Sequence, residues 1–243
     1  MFASDRELPV SGGAAKRAYV RQIFAAIAPT YDRLNRIMSL GLDLRWRRAA
    51  LRRLGWERSS GGTFLDLCAG TLDFAAQLER RPGFRGRIIA ADFAPAMLRA
   101  GRAKTRALCV TADALALPFP SGYFDGAMLG WGARNFADLD GGLAEAARVL
   151  APGARLVVLD MATPARQPLR GLYLLYFERV LPVMGRLISK HRSAYSWLPA
   201  STRAFPAPPE LARRLEGAGF TAVTWSTFLG GATALHVATR GSA

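Results

Sequence analysis

From Gly61 onward, short apolar runs bounded by turns alternate with stretches of helical spacing, and no other feature limits the fold so tightly. Thr63–Leu67 (TFLDL), Arg87–Asp92 (RIIAAD), Leu108–Thr111 (LCVT), Phe124–Leu129 (FDGAML) and Ala154–Asp160 (ARLVVLD) read as strands. Between them, 71–80, 138–150 and Pro95–Arg102, which proline opens, read as helices. Runs that are apolar on both faces, with helices in between, predict a doubly wound α/β fold around a parallel sheet. Phe220–Phe228 and Ala232–Thr239, separated by Gly230-Gly231, read as a closing hairpin.

The flanks follow a helical period. Val20, Phe24, Ile27 and then Leu34, Ile37, Met38 recur at three- and four-residue spacing, broken by Pro29. A further helix is expected after Gly41, carrying Trp46, Leu51 and Leu54 and ending near Gly55. An apolar helix with interspersed arginines is expected over 165–190, interrupted by Pro182 and Gly185, and another over 207–218. These patterns divide the chain into a mobile tail (1–18), an N-terminal helical cap (19–60) and a main domain (61–243) that contains a cap segment, 165–206.

Charge narrows the functional classes. The formal net charge of the 243 residues is +15, and 30 of the 33 basic residues are arginine, lysine occurring only at 16, 104 and 190. Residues 1–60 carry +7, 61–160 carry +1 and 161–243 carry +7. Basic flanks around a neutral centre attract phosphates, of nucleic acid or of anionic lipid. Two cysteines, Cys68 and Cys109, are too few for a disulfide framework, and His191 and His236 lie too far apart to suggest a zinc site. Leu172–Ile188 is broken by Glu178, Arg179 and Arg186, so it does not read as a membrane span, and the first residues lack the apolar core of a signal peptide.

The chemistry concentrates at three strand ends. FLDLCAGTLD (64–73) is a strand ending in an acid, a small-residue turn and a helix start, the place where doubly wound sheets bind ligands. It has neither the Gly-Lys-Ser/Thr of a P-loop nor a three-glycine dinucleotide fingerprint. Asp92 ends the second strand, 22 residues after Gly70, where a carboxylate can accept both hydroxyls of a ribose. Such charge-assisted bonds contribute ~1.5–3 kcal/mol each. Asp113 and Ala114, in VTADALALPF (110–119), end the third strand, where a carboxylate beside a backbone amide can read an adenine edge. Each alone fits an ordinary turn or surface acid; the ordered set outlines an adenosine.

With these motifs the chain resembles the class I methyltransferases that use S-adenosylmethionine (SAM), and more narrowly the quinol C-methyltransferases of ubiquinone and menaquinone synthesis. The resemblance runs from about Val20 to the C-terminus. The YDRLN, GWGARN and AYSWLP segments narrow it to the quinol group, beside EAARVLAPGARLVVLDMATP (145–164). It implies a seven-stranded, mostly parallel, Rossmann-like sheet with its last strand antiparallel. Asp66 and Gly70 would border the methionine part of SAM, and Thr71 and Asp73 continue that loop. Asp92 would hold the ribose, Met97 flank the adenine, and Asp113 with Ala114 meet its edge. Arg134 and Asn135 match the family's Arg-Asn pair and Tyr31 its N-terminal tyrosine; all three would lie near the acceptor ring. The family loop normally reads Gly-Thr-Gly-Asp, whereas this chain has Gly70-Thr71-Leu72-Asp73. Leucine disfavours positive φ, so either the pocket is distorted or Leu72 starts the helix and points away.

The implied activity is methyl transfer from SAM to a ring carbon of a polyprenyl quinol, demethylmenaquinol being favoured. The benzoquinol of the ubiquinone pathway, another phenol or lipid, and a non-catalytic prenyl-lipid-binding homologue that has lost SAM stay open as alternatives. Arg134 would stabilise a phenolate while water takes the proton, since arginine stays protonated; its structural alternative is a salt bridge to Asp138 or Asp140. Nucleic-acid methylation is disfavoured, because GWGARN lacks the Asn/Asp-Pro-Pro-aromatic motif of amino-group methylation. The basic flanks and a lipid substrate place the protein in the cytoplasm, held peripherally at the inner face of the cell membrane, and a homodimer is admissible. Trp46, Trp56, Trp197, Trp225 and His236 read as packing residues, and Trp131 as a contact to the ring.

Overall fold

The structure is a computed structural model that describes residues 8–180 and 192–242. Seven strands form one sheet: β1 (Thr63–Leu67), β2 (Arg87–Asp92), β3 (Leu108–Thr111), β4 (Phe124–Gly130), β5 (Leu150–Met161), β6 (Phe220–Phe228) and β7 (Thr233–Arg240). Their order is β3-β2-β1-β4-β5-β7-β6. β1 to β5 pair in parallel, and β7 runs antiparallel to both β5 and β6. The strand order reverses between β1 and β4, which opens a crevice at their carboxyl ends.

Successive side chains point to opposite faces, and both faces are covered. Leu65, Leu67, Leu129, Leu156 and Val158 pack on one side against Leu143, Ala146 and Ala147 of α6 (Leu139–Val149) and Leu211 and Leu215 of α9 (Pro208–Gly217). Phe64, Met128, Val157 and Leu159 pack on the other against α4 (Asp73–Glu79) and Leu98 of α5 (Pro95–Gly101). Trp46, Ala50, Leu51 and Leu54 of α3 (Leu42–Leu54) complete that second layer, so α3 belongs to the sheet's core rather than to a separate cap. Burying each leucine contributes ~1.5–3 kcal/mol. α1 (Gly13–Ile27) and α2 (Tyr31–Ser39) lie over the crevice instead.

α1 starts at Gly13, inside the stretch expected to be a tail; residues 1–7 of that stretch lie outside the described part. Gly12, at φ 121°, passes so close to Ala137 that a Cβ would lie 2.5 Å from its carbonyl oxygen, and Gly13 N–H donates to that oxygen at 3.0 Å. This contact, invisible to periodicity, fixes the helix start. β5 begins four residues before its expected start. Pro152 and Gly153 masked it, and the structure places them where the β4–β5 register shifts between Phe124 and Gly126. The helix expected over 165–190 is α7 (Leu169–Leu175) followed by a π-helical turn, Tyr176–Val180; its remaining ten residues, with Pro182 and Gly185, lie outside the described part. α8 (Arg192–Ala204) was hidden by Pro199, which lies inside it.

Candidate active site

Two cavities open at the carboxyl ends of the strands. The first is lined by Gly70, Asp92, Met97, Asp113, Ala114 and Asn135, with Arg17 and Phe24 of α1 as its roof. The second is lined by Leu34, Trp46, Arg134, Tyr173, Phe177 and Trp197 among others, and is strongly apolar. Phe24, Tyr31 and Trp131 line both, so they form the partition through which the two spaces meet. The larger, apolar cavity holds about 300 Å³, and the first about 60 Å³ with α1 drawn over it.

Asp92 ends β2 with both carboxylate oxygens held. Oδ2 accepts from Gly70 N–H and Oδ1 from Ala94 N–H, each at 2.8 Å. A carboxylate oxygen has a second lone-pair site, so both can still accept from a ligand. Burial pushes the Asp92 pKa up to about 6, against the pull of these two amides. Met97, fully buried, flanks the opposite side of the same cavity. Asp113 Oδ1 accepts from Leu115 N–H at 3.0 Å, and the carboxylate is ion-paired to Arg17 across the cavity roof.

Three of the expected cofactor residues line neither cavity. Asp66 is buried at the end of β1, its Oδ2 accepting from Ala75 N–H at 2.9 Å; burial raises its pKa to about 8. Thr71 donates to Asp32 of α2. Asp73 is the hub of a charge network: Lys104 at 2.7 Å, Arg36 at 3.2 Å and Arg47 at 3.5 Å. Burial alone would raise its pKa, but the three cations hold it below the ordinary carboxylate range. Lys104 also pairs with Asp32, and Arg47 with Asp43 at 2.7 Å. The network therefore ties the β1–α4 loop to α2 and α3 and holds Tyr31 over the crevice. Its members are separated by up to 72 residues along the chain, from Asp32 to Lys104, and no local pattern brings them together.

Leu72 adopts the positive φ that the family's glycine would, at 66°, as the N-cap of α4. Its side chain lines neither cavity and is fully buried in the core. The positive φ and the inward side chain thus occur together: Leu72 starts the helix and lines neither cavity. Gly101 of α5 makes room beneath, since a Cβ there would fall 2.2 Å from Thr71 O. A left-handed leucine costs ~1–2 kcal/mol, whereas removing a buried leucine costs ~2.7–5 kcal/mol. Leu72→Gly should thus lower stability by roughly 2–3 kcal/mol in urea unfolding, with little change in cofactor affinity. A more stable variant would mean that strain outweighs packing.

Arg134 follows β4 in a short 3₁₀ turn, Ala133–Asn135, and is 8% exposed. Its partner is not Asp138 or Asp140. Nη1 donates to Asp160 Oδ1, at the end of β5, at 2.6 Å, and to Trp131 O at 2.7 Å. Sequence reading missed Asp160 as its partner, although β5 ends in an acid as β1 and β2 do. Asn135 does not face the acceptor cavity. Its Nδ2 donates to Trp131 O at 3.2 Å and its Oδ1 accepts from Trp197 Nε1 at 2.9 Å, so it joins this turn to α8. Tyr31 is hydrogen-bonded to Asn35; burial raises its pKa, although Asn35, Arg134 and Arg47 pull the other way. Arg47 stacks on Trp131, 4.5 Å from the ring centroid. Trp46 and Trp197 line the acceptor cavity as well as packing, and Trp225 is 46% exposed rather than packed. His236 is buried, and its Nε2 meets Pro208 O at 2.9 Å.

A seven-stranded sheet in this order, with a carboxylate at the β2 tip beside a glycine turn, is the class I methyltransferase fold. The chain belongs to the ubiE/COQ5 methyltransferase family, whose profile matches residues 13–240. It is 47% identical over 224 residues to a protein named demethylmenaquinone methyltransferase from Thermus thermophilus, covering 90% of this chain and all of that one. A protein of the same name from Deinococcus radiodurans is 43% identical, covering 90% and 92%. Among solved structures, the complex between the Haloferax volcanii Trm112 methyltransferase activator and the putative methyltransferase aligns with a TM-score of 0.67 at 18% identity, covering 90% of this chain and 98% of that one. A SAM-dependent methyltransferase from Aquifex aeolicus aligns at 0.57 and 16% identity, covering 82% and 91%. The cofactor of this family is SAM, and the residues fit it: Asp92 keeps free acceptor sites toward the first cavity, Gly70 adds no side chain, and Met97 and Ala114 give apolar walls for a base.

Proposed function

We propose that this protein methylates a ring carbon of a polyprenyl quinol, with demethylmenaquinol as acceptor. The observation that carries the reading is the large apolar cavity, which among the described residues shares only Phe24, Tyr31 and Trp131 with the cofactor cavity and has a buried arginine in its wall. The name of the Thermus and Deinococcus relatives supports a naphthoquinol. SAM, when bound, supplies an electrophilic methyl group, whose in-line transfer depends mainly on positioning.

The remaining task is to make a ring carbon nucleophilic. An ortho hydroxyl must lose its proton so that the phenolate pushes electron density onto that carbon. Arg134 remains a cation and, anchored by Asp160, stabilises the phenolate oxygen at the wall of a mostly apolar cavity. A water beside it takes the proton. Tyr31, kept neutral by burial, acts at the partition as a hydrogen-bond donor to the ring. Asn135 positions Trp131 and Trp197, two walls of the ring site. Because α1 leaves only about 60 Å³ free, SAM enters as α1 shifts, and Asp113 exchanges Arg17 for the adenine edge.

No helix among the described residues is long and apolar enough to cross a membrane. The surface nevertheless suits a bilayer. Leu40 (87% exposed) and Leu229 (59%) stand at the rim of the acceptor cavity, and α7 beside it presents Leu172 (61%) and Leu175 (55%). The same stretch carries exposed Arg166, Arg170 and Arg179. Leucines that enter the acyl boundary while arginines meet anionic headgroups would hold the cavity mouth against the leaflet where a prenyl quinol lies. Replacing Leu172 and Leu175 together with glutamate should weaken binding to anionic vesicles at least about a hundredfold, from ~1.5–3 kcal/mol per leucine. Cosedimentation measures this, and turnover of a short-chain soluble quinol should persist; unchanged vesicle binding would remove α7 from the docking face. The function itself is tested by incubating purified protein with SAM and reduced naphthoquinol or benzoquinol and identifying C-methyl product by mass spectrometry. O-methylation, or no product from either, overturns the reading.

A further inference from the structure

Four buried polar atoms around the acceptor cavity have no hydrogen-bond partner among the described residues; one, Arg47 Nε, lies on α3, and the other three are Arg134 Nε, Tyr173 Oη and Thr233 Oγ1. A buried unsatisfied group is costly, and folded proteins retain few. The latter three gather at the end of β5. Arg134 is paired with Asp160 there, Thr233 stands opposite Met161 in the β5–β7 register, and Tyr173 lies within electrostatic reach of both Arg134 and Asp160. Thr233 is 1% exposed, and the Tyr173 ring is stacked on Phe177 with centroids 4.3 Å apart, so neither hydroxyl can turn to solvent without disrupting packing. Much of the rest of the wall is hydrocarbon or aromatic, Leu34, Met38 and Trp46 among it.

The three differ in chemistry. A guanidinium N–H suits an oxygen that becomes anionic. A tyrosine and a threonine hydroxyl can each donate or accept, so one can donate to and the other accept from a neutral hydroxyl that itself both accepts and donates. We propose that Tyr173 and Thr233 form a second polar subsite of the acceptor cavity, taking the uncharged ring hydroxyl para to the one that Arg134 activates. This rests on the quinol reading and deepens it: the subsite makes the enzyme selective for a 1,4-diol over a mono-ol. A site built to hydrogen-bond a hydroxyl discriminates against the analogue lacking it, because its own polar groups are then left unpaired.

The test uses the full chain with SAM and a short-prenyl 1,4-naphthalenediol, beside the corresponding mono-ol that lacks the para hydroxyl. Tyr173→Phe and Thr233→Val should each lower kcat/KM for the diol by about tenfold, the loss of one uncharged hydrogen bond. They should leave kcat/KM for the mono-ol and the SAM dissociation constant unchanged. Thr233→Ser, which keeps the hydroxyl, should behave as wild type. Neither Tyr173→Phe nor Thr233→Val should lower the unfolding midpoint, since each removes an unpartnered group; a purely structural residue would. Unchanged diol kinetics in both variants of an active enzyme, or an equal loss with diol and mono-ol, overturns the subsite alone. A wild-type enzyme inert toward the diol overturns the quinol reading itself.

Discussion

Arg134→Lys should fold, bind SAM as wild type and lose turnover by roughly a hundred- to a thousandfold, the range for removing an oxyanion donor. The lysine ammonium can replace the ion pair with Asp160. It cannot at once serve Asp160, the Trp131 carbonyl and a substrate oxygen, as a planar guanidinium can. Arg134→Ala is the less informative variant. It would leave Asp160, 2% exposed, buried without a counter-charge, at a cost of ~3–5 kcal/mol. Calorimetric SAM titration and single-turnover kinetics on Arg134→Lys separate the roles. Loss of SAM binding together with turnover would make Arg134 a structural residue, and near wild-type turnover would remove it from the chemistry.

The largest effect on cofactor affinity is expected at Asp92. Its two oxygens are oriented by Gly70 and Ala94 N–H, and in Asp92→Asn the amide NH₂ would face one of those donors. Losing two ribose hydrogen bonds of ~1.5–3 kcal/mol each weakens SAM at least about a hundredfold. The pH dependence follows from the same group. Burial raises its pKa to about 6, so the cofactor-free protein gains from protonating it. That contribution is present below the ordinary carboxylate range and lost as pH rises through about 6. SAM takes the ionised form. Its apparent affinity should be flat above neutrality and fall by about tenfold per unit below the Asp92 pKa. Titrations at several pH values measure this, and a flat profile across that range, or a residual slope in Asp92→Asn, would assign the proton to another group.

Much of this site was legible in the sequence because it lies where apolar periodicity stops. The tips of β1, β2 and β3 coincide with the ends of TFLDL, RIIAAD and LCVT, and so Gly70, Asp92, Asp113 and Ala114 fell where a ligand can touch them. Position in the loop did not reveal which way a side chain turns. Asp73 and Thr71 follow Gly70 closely, yet they bind α2, α3 and Lys104, partners fixed only by tertiary folding. Asn135 sits beside Arg134 but is used by Trp197, 62 residues away. The helix start at Gly13 depends on a carbonyl at Ala137, and such a contact leaves no periodic trace.

α3 has two duties within four turns. Trp46 and Arg47 shape the ring cavity, and Ala50, Leu51 and Leu54 support the sheet. α7, across the cavity, has none of its residues buried. The walls therefore differ in how much change they tolerate. A substitution on α3 that widened the cavity would disturb the sheet a few residues along, whereas α7, apart from Tyr173 packed on Phe177, can vary without touching the sheet's core. Descendants of this chain that accept bulkier or smaller rings should accordingly differ in the sequence around Leu169–Leu175 and keep the RWRRAALRRL segment nearly intact.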